Sequence, residues 1–157
     1  PPRCAYTPQV PRLFSESLRN NILMGLSNNG HDLARAIELC VLDQDLPTLQ
    51  EELDTVVGPR GVKLSGGQVQ RAAAARMFVR PSELFVLDDI SSSLDVETEQ
   101  ILWNRIYETR NNQEISPENQ TCLVVSHRRS VLSRADQIIL LQDGRLVAPL
   151  AVPQNWV

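Results

Sequence analysis

Two short strings in this chain carry residue types that handle phosphate and metal. The first is Leu64-Ser65-Gly66-Gly67-Gln68, which opens an Ala-rich helical run. Outward-facing N–H groups and the positive end of the helix dipole make such a turn able to hold an anion. The two glycines let the anion approach the backbone closely, and Ser65 adds a hydroxyl donor. The second is Leu84-Phe85-Val86-Leu87-Asp88-Asp89, an apolar strand ending in two carboxylates, followed by Ser91-Ser92-Ser93-Leu94-Asp95. Carboxylates beside a phosphate can hold a divalent cation and polarise a water. Together the strings imply nucleotide hydrolysis. Each has a plainer alternative: a Ser-capped helix start for the first, a solvated strand end for the second. The full five-residue string, with Gln70-Arg71 just beyond it, is much rarer by chance than Ser-Gly-Gly alone.

The elements that must position these residues follow from periodicity and punctuation. Residues 4–14 read as a short strand leading into a Pro-punctuated loop that holds Gln9. Phe14, Leu18, Ile22 and Leu26 recur at helical spacing, with Ser15 as the expected N-cap and Gly25 near the end. Asp32 is expected to cap a second helix through Leu33, Ala36, Ile37 and Cys40. A third, short helix runs from Leu46 to Leu53 with Pro47 in its first turn. Gly58-Pro59-Arg60-Gly61 is a loop, and the next helix runs from about Gly66 to Val79, stopped by Arg80-Pro81. Ala72 to Ala75 make that helix slim on one side.

The apolar run from Leu84 to Leu87 predicts a strand covered on both faces. A helix from Asp95 carries Ile101, Leu102, Ile106 and Tyr107, and residues 111–120 form a polar surface linker. Thr121 to Ser126 predicts a second buried strand ending at His127. A short helix over Ser130 to Ala135 and a hairpin turning at Asp143-Gly144 complete the pattern. Strands separated by helices predict an α/β fold with a parallel sheet, a helical insertion and an edge hairpin. No internal repeat is present.

Composition narrows the class. The chain has 157 residues, 42% of them apolar and 22% charged, which suits one domain with a real core. A net charge of -4 gives no electrostatic case for nucleic acid or anionic membrane as partner. No apolar run approaches the length of a bilayer span. Three cysteines, Cys4, Cys40 and Cys122, without C-x-x-C spacing point to a reduced, intracellular setting. The first residues carry neither a signal-peptide pattern nor an initiator Met, so the chain reads as starting inside a longer protein. Asn119-Gln120-Thr121 matches a glycosylation sequon but is discounted without secretory context.

The five-residue string resembles the signature motif of the ATPase domain of ATP-binding cassette (ABC) transporters. The resemblance implies that Ser65, Gly66, Gly67 and Gln68 bind the ATP held by the opposite subunit of a head-to-tail dimer. The Leu84–Asp89 run resembles the family's Walker B strand, with Asp88 orienting magnesium and Asp89 polarising the attacking water. The family usually has Glu at that second position. Asp is shorter by one C–C bond, roughly 1.5 Å, and catalytic geometry tolerates such errors poorly. Ser91 to Asp95 resembles the D-loop, with Asp95 at the subunit interface and also suited to capping the following helix. His127 resembles the switch histidine that contacts the γ-phosphate; His31 lacks that context and reads as a loop residue. Gln9 resembles the Q-loop glutamine, which reaches magnesium and water and whose loop couples to the membrane domain. The surroundings of Gln9 and Gly58-x-x-Gly61 resemble exporter-type cassettes, although Val56 and Pro59 stand where acidic residues are usual.

The resemblance implies a P-loop NTPase-like parallel sheet core with a helical subdomain over about residues 15–80. The Walker B to switch-His portion then lies over 81–150. ATP and Mg2+ are the implied cofactors, and a second ABC ATPase domain and a transmembrane domain the implied partners. The implied location is the cytoplasmic face of the membrane. A phosphate loop, G-x-x-x-x-G-K-[ST], is not found. The one lysine, Lys63, approaches the signature, and Gly25 and Gly30 are followed by His31-Asp32 instead of Lys-Ser. In the family that loop and the adenine-stacking aromatic lie N-terminal to the Q-loop, so both are expected outside this chain. The rival readings are a non-catalytic or inert fragment that only completes a partner's site, and a soluble non-transport ABC ATPase.

Overall fold

The computed structural model describes residues 4–27, 30–111 and 120–150. They fall into two compact units, Pro1–Val125 and Ser126–Val157.

The larger unit is built on a parallel sheet of order β1-β2-β3, formed by β1 (Cys4–Thr7), β2 (Leu84–Asp88) and β3 (Thr121–Val125). Cys4 pairs with Leu84 and Leu84 with Thr121, so the three strands start level. Alternation then sorts the side chains. Ala5, Thr7, Phe85 and Leu87 are buried, and Phe85 stacks on Phe78 with ring centroids 5.5 Å apart. The opposite face carries Tyr6, Val86 and Leu123. That face corrects the expectation of a strand covered on both sides. Leu84 and Val86 are only half-buried, and on β3 Leu123 and Val125 are 48% and 53% exposed. The apolar run is real, but the described residues cover one face of it.

The helical part differs from expectation at its boundaries. The first helix, α1 (Leu18–Leu23), is capped by Ser17, whose hydroxyl accepts from the Asn20 N–H. Ser15 instead accepts from the Arg60 N–H at 3.2 Å, which leaves Phe14 outside the helix and exposed. Leu26 is exposed as well, and Leu18 and Ile22 supply the buried side. The next helix, α2 (Gly30–Leu39), begins two residues before Asp32. Asp32 is therefore a first-turn carboxylate facing the positive helix end, and His31 is helical rather than in a loop. The expected third helix is two separate 3-10 turns, Leu46–Thr48 and Glu52–Asp54.

The Ala-rich helix is α3 (Gly66–Phe78). Ala72, Ala73, Ala74 and Ala75 are all buried, since a side chain of one carbon lets α1, α2 and β1 pack close to the α3 backbone. On α4 (Val96–Asn111), Leu102 and Trp103 are the buried pair, while Ile101, Ile106 and Tyr107 are half-buried. Cys40 is buried; Cys4 and Cys122 are exposed.

The smaller unit holds α5 (Arg129–Leu132) and a hairpin of β4 (Ile138–Gln142) and β5 (Arg145–Leu150). Gln142 pairs with Arg145 across the turn, where Asp143 and Gly144 take φ of 50° and 72°. Two successive left-handed residues suit the right-handed twist of the strands, and Asp-Gly adopts them readily. Most of the expected surface linker, Asn119 of the discounted sequon and the tail 151–157 lie outside the described residues. Among the described residues no helix is long and apolar enough to cross a membrane.

Candidate functional site

The parallel register builds the first half of the site. Thr7 lies opposite Leu87, so the chain two residues past β1 comes level with the chain two residues past Leu87. Gln9 and Asp89 meet there: Gln9 Nε2 donates to Asp89 Oδ2 at 3.3 Å. One pleat earlier, the Tyr6 hydroxyl donates to Asp88 Oδ2 at 3.2 Å. Partial desolvation first, and then the Asp88 carboxylate, hold the Tyr6 phenol above its ordinary pKa.

Asp89 itself takes φ of 48°. Its N–H donates to the Val125 carbonyl at 3.0 Å, and its carbonyl accepts from the Ser92 N–H at 3.1 Å. Few residue types accept this backbone region, and Asp does so more readily than most. The turn therefore suits Asp at a position where the resembled family usually has Glu.

The second half is the start of α3. Ser65 and Gln68 form a capping box: the Ser65 hydroxyl accepts from the Gln68 N–H at 3.2 Å, and Gln68 Oε1 accepts from the Ser65 N–H at 2.8 Å. The Ser65 hydroxyl keeps its proton to donate elsewhere. Gln68 Nε2 is also engaged, with Asp45 at 3.0 Å, and Asp45 pairs with Arg71 one turn further along α3. Gly66 is exposed, and its first-turn N–H has no intrahelical acceptor. Gly67 is a glycine for a second reason. A Cβ there would sit 2.9 Å from the Leu94 side chain and 3.0 Å from the Ser93 carbonyl oxygen, so its bareness lets the Ser91–Asp95 turn pack on α3.

Asp95 caps α4, accepting from the Thr98 N–H at 2.9 Å and the Thr98 hydroxyl at 2.8 Å. The backbone bond from Thr98, and then the hydroxyl bond, hold its carboxyl below the usual carboxylate range. In the smaller unit, His127 is exposed two residues beyond β3.

The donor set suits the implied cofactors. Among the described residues no cluster of three or more His, Cys, Asp or Glu could by itself hold a metal ion. Magnesium does not need one, since it commonly takes one or two carboxylates and completes its octahedron with waters and phosphate oxygens. Asp88 and Asp89, half-buried at one strand end, fit that role. The open N-terminus of α3 at Gly66 fits a phosphate.

The structure thus brings Gln9 to Asp89, and the Ser93-Leu94 turn to Gly67. Two contributors, Tyr6 and Asp45, were not singled out as site residues in the sequence, and Gln70 stood there only beside the five-residue string. Tyr6 could have been found by aligning strand ends; Asp45 and Gln70 act through tertiary contacts that leave no local signature.

Comparison with known proteins gives the chain's family. No family model matches the chain. It is 36% identical over 145 residues to the ATP-dependent lipid A-core flippase of Vibrio vulnificus, a match covering 91% of this chain and 24% of that protein. It is 39% identical over 133 residues to the ABC transporter ATP-binding protein YwjA of Bacillus subtilis, covering 84% of this chain and 22% of that one. The structure of a bacterial Atm1-family ABC exporter with ATP bound matches with a TM-score of 0.82 and 28% identity, over 96% of this chain and 25% of that one. These matches define the class: the chain belongs to the ABC transporter family, and its α/β architecture is that of an ABC exporter segment. It spans about a quarter of the length of the curated relatives it matches.

Proposed function

We propose that this chain is the later portion of an ATP-binding and ATP-hydrolysing domain of an ABC transporter, most like the exporter group. In this reading residues 15–80 form the helical lobe and 81–150 the Walker B to switch-His portion. Asp88 orients Mg2+, Asp89 polarises the attacking water, and Gln9 and His127 sense the γ-phosphate. Ser65, Gly66, Gly67 and Gln68 face the nucleotide of a second ATPase domain, with Asp95 at the same interface. The capping box and the Asp45 bond assign Ser65 and Gln68 partly to shaping the turn, leaving the Gly66 end as its phosphate-facing part. The transmembrane partner lies in the same assembly, with this domain on the cytoplasmic face of the membrane.

The observation that carries the reading is the bond between Gln9 and Asp89, 80 residues apart and joined at the end of a parallel strand pair. Measuring magnesium-dependent ATP turnover in the intact protein, wild type and Asp89→Asn, tests it. Turnover that the substitution abolishes while ATP binding persists supports the reading. Equal turnover in both would remove Asp89 from the chemistry. A second reading, a non-catalytic segment that completes a partner's site, draws on the short side chain at position 89; it predicts ATP binding in the assembly without turnover at this site.

A further inference from the structure

Gln70 belongs to none of the motifs above, yet its side chain touches two of them. It is buried on α3, 4% exposed. Its Nε2 donates to the Ser92 hydroxyl at 2.7 Å and to the Gln9 carbonyl at 3.3 Å, and its Oε1 accepts from the Ser93 N–H at 3.0 Å. The Gln9 carbonyl can only accept and the Ser93 N–H can only donate, so the carboxamide has one possible orientation. A buried amide with its donors and acceptor engaged is costly to disturb, because any lost partner leaves a desolvated polar atom.

We infer that Gln70 is a positioning residue that locks the Gln9 loop and the Ser92-Ser93 turn to α3. Displacement of the α3 start then carries with it the loop whose glutamine contacts Asp89. Gln9 is exposed, and its side chain bonds Asp89 while its carbonyl bonds Gln70. The Ser93 turn also packs on α3 at Gly67, one turn before Gln70, too closely for a Cβ. One carboxamide thus spans three chain segments, near residues 9, 70 and 92. This inference rests on the proposed ATPase reading for its functional meaning, although the coupling itself is a property of the fold.

Gln70→Glu separates the two links. A carboxylate keeps the length and still accepts from Ser93 and Ser92, but it has no proton for the Gln9 carbonyl. Hydrogen-exchange mass spectrometry of the intact protein reads each loop separately. Gln70→Glu is expected to raise exchange in the Gln9 loop several-fold, up to about tenfold, and to leave the Ser92-Ser93 turn protected. Gln70→Ala is expected to raise both. Ser92→Ala, at an exposed position, is expected to raise Gln9-loop exchange from a residue that does not touch that loop. In ATP turnover, Gln70→Glu is expected to lower kcat with KM unchanged, whereas a merely structural loss would reduce the folded fraction and spare the per-molecule rate.

Unchanged Gln9-loop exchange in both Gln70→Glu and Ser92→Ala overturns the inference, as does an unchanged kcat where the wild type turns over ATP. If the wild type does not turn over ATP at all, the functional reading fails. The exchange data then decide the coupling alone.

Discussion

Arg76 of α3 donates to both oxygens of Asn21 in α1, to its carbonyl at 2.7 Å and its side-chain Oδ1 at 3.1 Å. Asn21 turns its remaining capacity on the segment after the Gln9 loop. Its Nδ2 donates to the carbonyls of Phe14, Glu16 and Ser17, and its Oδ1 accepts from the Phe14 N–H at 2.8 Å. Arg76 reaches the Arg12 carbonyl as well and lies over the Phe14 ring. The residues after the candidate site are therefore stapled to α1 and α3 by two polar side chains, Asn21 buried and Arg76 half-buried.

Asn21→Ala should show what that staple contributes. It strips partners from a Phe14 N–H, three carbonyls and the Arg76 guanidinium at a position 1% exposed. Losses of this kind sum to about 2–4 kcal/mol. Urea unfolding of wild type and variant checks it; a midpoint shift worth under about 0.5 kcal/mol would mean that water replaces the amide fully.

Asp89→Asn should lower ATP turnover of the intact protein by about 10²- to 10⁴-fold, the range for loss of a proton-accepting group. Its αL backbone favours the substitution structurally, since Asn adopts φ near 48° as readily as Asp. Asp89→Glu gains reach but sits less well in that turn, so it should not exceed wild-type turnover. A steady-state rate that rises with Glu would show that side-chain length, not the turn, limits the site.

The adjacent glycines should respond oppositely to alanine. At Gly66 a Cβ meets only the Ser93 side chain at 3.4 Å, an ordinary contact, so Gly66→Ala is neutral or stabilising by up to about 1 kcal/mol through helix propensity. At Gly67 the Cβ meets the Ser93 carbonyl and Leu94, so overpacking dominates, costing about 1–3 kcal/mol. Denaturation midpoints of the two variants give the comparison. Equal shifts would show that the Ser93-Leu94 turn yields freely.

The contrast at these glycines shows what the sequence can and cannot disclose. A motif string reports that residue 67 must be small, and both an approaching anion and a packed turn satisfy that. Only the placement of Leu94 separates them. Strands, the long α3 and the Asp143-Gly144 turn were legible because each is specified locally by alternation, Ala content or left-handed turn chemistry. The first helix was misplaced because Ser15 and Ser17 are equal as local caps, and Ser15 is claimed by Arg60, 45 residues away. Burial of β3 was overestimated for a related reason: apolar content states what a strand could cover, not what lies against it. The Gln70 and Asp45 bonds are tertiary throughout and left no trace in spacing.

Acidification should unfold wild type and Asp95→Asn along different paths. The folded carboxyl of Asp95 is held below its unfolded value of about 3.9 by Thr98. Its stabilisation is thus complete above that value and is lost as pH falls through the folded one. Asn still accepts from the Thr98 N–H but does not titrate. The gap in urea midpoint between the two should be constant from pH 7 to about 5 and close below about pH 4. A gap that persists undiminished at pH 2 would mean that the cap works without charge.

The open sheet face should make the isolated chain self-associate. Tyr6, Leu123 and Val125 are 57%, 48% and 53% exposed, and β3 has no strand on its outer side among the described residues. Exposed apolar strands at a sheet edge pair with other copies. A lysine on the outermost strand opposes that pairing without touching the buried face that carries Leu87. Light scattering against concentration should therefore rise for the wild-type chain and fall back for Leu123→Lys, with the urea midpoint little changed. In the intact protein the same substitution reads the other way. If further chain covers this face there, a buried lysine is destabilising by several kcal/mol, so intact protein and isolated chain should respond to Leu123→Lys with opposite sign. A monodisperse wild-type chain at high concentration, or a harmless lysine in the intact protein, would show that the face is solvated by design.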